Sequence, residues 1–250
     1  MSKIILSEIP TRAPKDTDRK EIEKTTSKMI KKIGELQNKI YAEKKHSVLV
    51  VLQGMDASGK DGATKNVFGR CNPSGIDAFS FKKPTEEEFS HDFLWRCHKI
   101  VPAKGHIHLF IRSHYEDILI QRVHNWIDDV KVAKRMTAIN NFEDLIKFDN
   151  KTTVLKFYMH ISLEKQEEKL QERIDLPEIN WKHNPSDWEE RKLWSKYMEA
   201  YEYAINESCI PWHIIPVDQR WYRDYCIAKV VLEELKSLDP KLPLIETSEK

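Results

Sequence analysis

The chain has 250 residues, which is enough for one α/β domain with a full hydrophobic core. Its 41 basic and 40 acidic residues leave a formal net charge of +1, which argues against a general nucleic-acid-binding or membrane-binding surface. Four cysteines without paired spacing, no signal peptide and no long apolar span predict a cytoplasmic protein, in which any polyanionic ligand is held by a local cluster of basic residues.

The first predicted elements are an arm, a helix and a strand. Residues 1–17 lack a hydrophobic period and predict an extended arm, which leaves residues 18–250 as the predicted domain. Asp18 and Glu21 have the spacing of a capping box, and apolar residues at helical spacing follow up to Lys45. The apolar run 48–52 then predicts a buried strand.

A glycine-rich loop lies between this strand and a helix predicted over 63–70. It has the G-x4-G-K spacing of a P-loop, in which backbone N–H groups and the lysine bind phosphates. Its candidate phosphate-binding residues are Gly54, Ser58, Gly59, Lys60, Asp61 and Gly62. Asp61 stands where a hydroxyl residue usually follows the lysine, and Asp56 adds a carboxylate inside the loop. The alternative is an ordinary glycine turn, which the strand–loop–helix context disfavours.

The remainder of the chain alternates strands with helices. Strands are predicted at 78–81, 107–111, 153–158 and 212–217, and helices from Thr85 to Trp95, around Arg122, over 140–147, over 162–174, from Ser186 to Ile205 and over 222–238. Alternation of this kind predicts an α/β fold with a parallel sheet and helices on both faces.

A charged segment follows the strand 107–111. Arg112, Glu116 and Asp117 should stand beside the glycine loop, because the carboxyl ends of parallel strands meet at one edge of the sheet. An arginine neutralises a transferring phosphoryl group, and carboxylates hold Mg2+ against the phosphates. A surface salt-bridge cluster is the alternative interpretation of these three residues.

Other side chains offer weaker indications. None of the ten histidines shows the spacing of a known metal-binding motif, so we expect scattered core and surface histidines. Trp181 lies in the polar stretch 175–184, where it either packs against a nucleotide base or anchors its own loop.

The order of these segments resembles the polyphosphate kinase 2 family over residues 47–238. The matching segments are G-M-D-A-S-G-K-D-G (54–62), N-P-S-G (72–75), S-F-K-K-P (80–84), H-D-F-L-W-R (91–96), R-S-H-Y-E-D (112–117), R-V-H (122–124), K-F-Y-M-H-I-S (156–162) and I-P-V-D-Q-R-W (215–221). The resemblance implies a P-loop kinase-like fold, similar to thymidylate kinases, with a helical lid over about residues 162–190. It also implies a homo-oligomer that transfers a phosphoryl group between inorganic polyphosphate and a purine nucleotide, with Mg2+ or Mn2+ as the cofactor.

The same resemblance suggests individual roles. Asp56 and Lys60 match the carboxylate and lysine that the family requires in its loop, and Arg112, Glu116 and Asp117 complete the implied catalytic set. Asp56, Glu116 and Asp117 are the implied metal ligands. Further basic residues match phosphate-binding positions, and we expect them to form one stripe for polyphosphate with Arg112: Lys65, Lys82, Arg122 and, in the lid, Arg173.

Two positions bear on the choice of acceptor and on the alternatives. Glu116 falls where members that accept AMP as well as ADP carry an acid. The family usually has Asn or Asp before Arg112, where this chain has Ile111. One alternative function is an ATP-dependent nucleoside monophosphate kinase. Asp61 argues against it, because a hydroxyl residue usually follows the P-loop lysine. Another is a weakened nucleotide- or polyphosphate-binding protein, for which Ile111 is the one indication.

Overall fold

The computed structural model describes residues 3–244; residues 1–2 of the predicted arm and 245–250 of the predicted domain lie outside it. Five parallel strands form one sheet in the order β2-β3-β1-β4-β5. They are β1 Ser47–Gln53, β2 Ile76–Ser80, β3 Ile107–Ile111, β4 Thr152–His160 and β5 Trp212–Pro216. Every residue of β1 is buried, so both faces of the central strand are covered, as the apolar run 48–52 requires. The predicted parallel α/β fold is confirmed.

Ten α-helices connect and cover the strands within the described residues. They are α1 Arg19–Glu43, α2 Lys60–Phe68, α3 Glu86–Ser90, α4 Trp95–His98, α5 Ile120–Val123, α6 Asp129–Asn150, α7 Leu163–Asp175, α8 Ser186–Lys192, α9 Trp194–Asn206 and α10 Arg220–Ser237. None of them is both long enough and apolar enough to span a membrane.

Several helix boundaries differ from the predicted ones. The helix predicted over 140–147 is the 22-residue α6, whose buried positions begin at Val132 but are separated by charged residues that weaken the pattern. The helix predicted from Ser186 is interrupted at Leu193, where the backbone leaves helical geometry. The helix predicted from Thr85 ends at Ser90, because His91 is extended. Thr85 and Glu88 form a capping box at its start.

The predicted arm packs against the domain. Leu6, in a short 3-10 helix, is buried, and its backbone N–H donates to Glu202 of α9 at 2.8 Å. Further along, the Thr11 hydroxyl donates to Asp218 at 2.9 Å. Asp218 also accepts the backbone N–H and the hydroxyl of Ser162, the residue that caps α7. The arm, the end of β5 and the start of α7 therefore share one carboxylate.

The turn after β1 is set by Gly54, whose φ of +151° is disfavoured for residues with a side chain. A Cβ atom built there would lie 2.8 Å from the carbonyl oxygen of Met159 and 2.9 Å from its Cβ. The loop can therefore approach β4 closely only because position 54 has no side chain.

We predict that Gly54→Ala lowers the free energy of unfolding by about 1–3 kcal/mol, since it adds both backbone strain and a clash with β4. Gly62→Ala is the matched control, because Gly62 lies in α2 and an added Cβ would be 3.4 Å from the Arg223 guanidinium. Alanine favours the helix there by up to about 1 kcal/mol. Urea unfolding of the two variants measures the difference; equal midpoints would show that the loop does not need glycine at position 54.

Candidate active site

The loop after β1 places a lysine ammonium at the N-terminus of α2. Lys60 is the first residue of α2, and its Nζ donates to the carbonyl oxygens of Gly54 at 2.7 Å and Met55 at 3.0 Å. The free backbone N–H groups of the first turn and this ammonium lie at the same end of α2, where positive charge favours an anion.

An arginine–aspartate pair lies beside this lysine. The Arg112 guanidinium donates to the Asp56 carboxylate, which joins the end of β3 to the loop after β1. Arg112 adopts a φ of +59°, the left-handed region that a residue with a long side chain rarely occupies. Backbone strain of this kind is concentrated at functional sites, where neighbouring structure holds it in place.

Burial and mutual charge tune the acids and the base of this cluster. Burial lowers the pKa of Lys60 to about 8, with a further contribution from the Arg112 charge. Burial alone would raise the pKa of Asp56, but the charges of Lys60 and Arg112 outweigh it and lower that pKa. Burial raises the pKa of Glu116, which Arg112 and Lys60 only partly oppose. The two carboxylates thus differ: Asp56 is held ionised, whereas Glu116 is predisposed to accept a proton or a cation.

A buried polar network fixes the turn that carries Arg112 and Glu116. The ammonium of Lys156 on β4 donates to Glu143 of α6 at 2.6 Å and to the Tyr115 hydroxyl at 2.7 Å. That hydroxyl donates to Glu143 at 3.0 Å, and the His114 ring lies 3.3 Å from the same carboxylate. Lys156, Glu143 and Tyr115 are thereby paired in the core, whereas Nδ1 of His114 has no partner among the described residues, and the 3-10 turn His114–Asp117 cannot shift without breaking these bonds.

The segment predicted as a lid lies over the loop. Gln166 of α7 is buried and donates to the backbone carbonyl oxygen of Asp56 at 3.1 Å. Arg173 bonds to Asp187 of α8 at 2.6 Å, and Lys182 lies 3.2 Å from Asp61. Asp61 therefore faces the lid, in place of the hydroxyl that usually follows a P-loop lysine.

Two cavities meet at the Asp56–Arg112 pair. The first, which we name the aromatic cavity, has a volume of about 430 Å³ and contains the carboxylates of Glu116 and Asp117. Its aromatic side chains are Phe81, Trp126, Tyr197 and Tyr201, and its basic ones are Lys82, Lys83, Arg96 and Arg112. Flat aromatic surface combined with a few charges suits a nucleotide.

The second, which we name the cationic cavity, has a volume of about 370 Å³ and contains the glycine loop from Ala57 to Gly62. Its basic side chains are Lys60, Arg112, Lys169, Arg173, Lys182, Arg220 and Arg223, against the acidic side chains of Asp56, Asp61 and Glu172. This excess of positive charge suits a chain of phosphates.

The expected stripe of basic residues is not one surface. Lys65 is exposed and lies in a separate groove beside α1, while Arg122 pairs with Asp129 at 2.9 Å in a third groove. Lys82 lines the aromatic cavity, and of the basic residues proposed for the stripe only Arg112 and Arg173 line the cationic one. Trp181 is largely exposed and outside both cavities, where its indole N–H donates to Glu178.

The carboxylate of Asp117 is less available than that of Glu116 to bind a ligand, because it already has partners. Its carboxylate accepts from Gln121 at 2.7 Å and lies 3.5 Å from the Arg96 guanidinium. Burial raises its pKa, against the opposing charges of Arg96 and Arg135.

Sequence inspection missed several residues of the site. Arg223 on α10 is buried and donates to the carbonyl oxygen of Gly59 at 3.2 Å. Tyr197 and Tyr201 fall at the helical intervals typical of core packing, yet both line the aromatic cavity, as does Trp126. The one available indication for Arg223 was its position shortly after the last strand, since ligands bind at carboxyl ends of strands.

Comparison with known proteins identifies relatives. The family profile described as Polyphosphate kinase 2 matches residues 15–243. An AMP/ADP-polyphosphate phosphotransferase of Meiothermus ruber is 46% identical, over 87% of this chain and 82% of the relative. An ADP-polyphosphate phosphotransferase of Rhodopseudomonas palustris is 37% identical, over 86% of this chain and 79% of the relative. The crystal structure of a polyphosphate kinase 2 from Arthrobacter aurescens TC1 superposes with a TM-score of 0.95 at 34% identity, over 100% of this chain and 91% of that one.

The lowered pKa of Lys60 predicts a pH dependence of phosphate binding. A bound polyanion favours the ammonium form, so binding takes up a proton when the pH exceeds about 8, the pKa of Lys60 without ligand. Lys60 lines the cationic cavity, so the dissociation constant of inorganic polyphosphate, whose internal phosphates stay ionised over this range, should then rise by up to about tenfold per pH unit above pH 8.

Titration calorimetry between pH 7 and 9.5 measures this effect. Lys60→Arg is the matched control, since a guanidinium stays charged over this range and its binding should not vary with pH. A pH profile shared by the two proteins would show that another group is responsible.

Proposed function

The chain belongs to the Polyphosphate kinase 2 family and is a polyphosphate–nucleotide phosphotransferase, and we propose that the two cavities hold its two substrates. Polyphosphate occupies the cationic cavity and the nucleotide occupies the aromatic cavity. The observation that carries this proposal is that the cavities share two lining residues, Asp56 and Arg112. A phosphoryl group that passes between the substrates must pass this pair.

The proposed chemistry needs positioning rather than a general base. The acceptor is a nucleotide phosphate oxygen that is already ionised at neutral pH, so no proton has to be removed from it. Lys60 and Arg112 neutralise the charge on the transferring group; Arg112 lines both cavities and Lys60 lines the cationic one. Arg173, Arg220 and Arg223 hold the remaining phosphates of the donor chain.

The donor set also fits a hard divalent cation. Asp56 and Glu116 line the same cavity, and the charge of Asp56 contributes to the raised pKa of Glu116, a repulsion that a cation relieves. Carboxylate oxygens are the protein ligands that Mg2+ prefers, with water and phosphate completing its shell. We propose Mg2+ held by Asp56 with Glu116, which would neutralise phosphate charge; Asp117, paired with Arg96, is the alternative partner.

The acceptor is proposed to include nucleoside monophosphates as well as diphosphates. The Meiothermus ruber relative carries AMP and ADP in its name. Glu116 and the aromatic side chains of Tyr197 and Trp126 line the cavity assigned to the acceptor.

An assay of the purified protein with polyphosphate and, separately, AMP, ADP, GMP and GDP tests the function. We expect phosphorylated nucleotide products that require polyphosphate and are reduced about 10²–10³-fold in Lys60→Ala. Products formed from ATP and a nucleoside monophosphate, with none formed from polyphosphate, would instead support the thymidylate-kinase-like alternative. Binding of both substrates without turnover would support a binding protein.

The assignment of substrates to cavities predicts opposite effects for two charge reversals at exposed positions. Arg220→Glu, in the cationic cavity, should raise KM for polyphosphate by about tenfold, which is 1.4 kcal/mol, and leave KM for nucleotide nearly unchanged. Lys82→Glu, in the aromatic cavity, should raise KM for nucleotide instead. Initial rates with each substrate varied in turn measure both values, and the reverse pattern would exchange the two assignments.

Ile111 should matter little to turnover. Ile111 lines the cationic cavity and not the aromatic cavity that contains Glu116, so it lies apart from one of the two proposed metal ligands. We predict that Asp56→Asn abolishes turnover, whereas Ile111→Asn changes it by less than about tenfold. A protein that is silent until Ile111→Asn restores the family residue would contradict the proposed metal set.

We further propose a cytoplasmic homo-oligomer. The four cysteines are free thiols, which is usual in a reducing compartment. Phe148 and Leu145 expose apolar side chains on α6, a feature of surfaces that contact another chain. Light scattering by the purified protein gives its mass directly, and a monomer near 29.6 kDa would exclude the oligomer.

A further inference from the structure

We propose that Asp77, His106 and His108 bind a divalent transition-metal ion, with Zn2+ as the natural candidate, at the end of the sheet opposite the active site. One ligand atom from each residue lies within 4.8 Å of those of the other two. Two imidazoles and one carboxylate are a donor set that zinc uses, with the fourth position left to water.

The backbone explains why three residues from two segments converge. His106 directly precedes β3 and His108 lies within it, so the two side chains are two residues apart and share one face of the sheet. Asp77 of β2 is the register partner of His108 in the adjacent parallel strand. β2 is the edge strand, which leaves Asp77 more than half exposed and the cluster open to solvent.

The hydrogen bonding of His108 is that of a metal-binding histidine. Its Nδ1 lies 2.8 Å from the carbonyl oxygen of Ile100, which can only accept, so Nδ1 carries the proton. The lone pair of Nε2 in the neutral ring then faces the Asp77 carboxylate at 3.5 Å. These two hydrogen-bond acceptors repel each other, and a metal cation between them would form a bond to each. A backbone carbonyl that orients the ring is the usual outer partner of a metal-ligating histidine.

The presence of His106 favours a metal ion, rather than a proton, between His108 and Asp77. A proton on His108 would satisfy the pair with Asp77 without any need for His106. His106 nevertheless brings a second imidazole to the same place, and its ring packs edge-on against Tyr41 of α1, with the ring centroids 5.7 Å apart. A metal ion would therefore join the edge strand β2, the strand β3 and a residue that contacts α1.

The expected role is stability rather than catalysis. His108 lies in β3 and Arg112 directly follows that strand, four residues later, which corresponds to about 13 Å. Zn2+ at this site should raise the melting temperature with increasing concentration, because it binds the folded chain. Mg2+ should not replace it, since a hard cation has little preference for imidazole.

Calorimetric titration of untagged, chelator-treated protein with Zn2+, in the absence of nucleotide and polyphosphate, tests the proposal. We expect one equivalent bound by the wild-type protein, and affinity at least tenfold weaker in His106→Ala and in Asp77→Asn. Substitution with Co2+ should give visible absorption bands in the wild-type protein that both variants lose. Circular dichroism establishes whether the variants are folded. If His106→Ala does not fold, Asp77→Asn still tests the proposal, because Asp77 is exposed.

Two controls separate this site from other zinc-binding groups. Asp56→Asn removes a carboxylate of the active site and should leave the Zn2+ equivalent unchanged. His213→Gln removes a histidine of β5, at the opposite edge of the sheet, and should also bind normally. Failure of the wild-type protein to bind Zn2+, or equal affinity in His106→Ala, would overturn the proposal. Loss of binding in Asp56→Asn would assign the ion to the active site instead.

Discussion

The active site depends on the buried contact between Lys156 and Glu143. Both side chains are almost completely removed from water, which is tolerable only because each charge has its partner and further hydrogen bonds from Tyr115 and His114. The contact ties the middle of β4 to α6 and to the turn after β3. That turn carries Arg112 in a left-handed conformation, which a freely moving segment would relax. The position of the guanidinium against Asp56 is therefore a consequence of charges buried beneath it.

Parallel strand order brings the two cavities together at the loop after β1. β1 lies between β3 and β4, so this loop is flanked by the polar turn after β3 on one side and by the segment after β4 on the other. The segment after β4 contributes Lys169, Arg173 and Lys182 to the cationic cavity, so positive charge is concentrated there while the net charge stays near zero. A protein can thus hold a long polyanion without a basic surface, provided that the positive charge is concentrated where phosphate must lie.

The local sequence pattern was sufficient to predict the strands and the glycine loop. It was not sufficient to predict which residues from distant segments converge on the site. The bounds predicted for β3 are those observed, because four of its five residues are apolar and its neighbours on both sides are polar or glycine-rich. Lys65 was misplaced because it is five residues after Lys60 in α2: at 3.6 residues per turn this is a rotation of about 140° relative to Lys60. Tyr197 and Arg223 could not be assigned to the site, since helical periodicity explains a core residue and a cavity residue equally well.

The two ends of the sheet meet different physical demands. At the carboxyl ends, loops leave the strands with their carbonyl groups and side chains free, so strained backbone and tuned charges can serve a ligand. At the amino ends the chain only has to return to the sheet, and β2, as an edge strand, is bonded to one neighbour alone. Asp77 is tolerated there because water reaches the edge, and the largely buried His108 because the carbonyl oxygen of Ile100 accepts its Nδ1–H. A metal ion bound by these side chains would strengthen an edge strand without altering the separation of Asp56 from Arg112, and for that reason stabilisation and catalysis can vary independently in this fold.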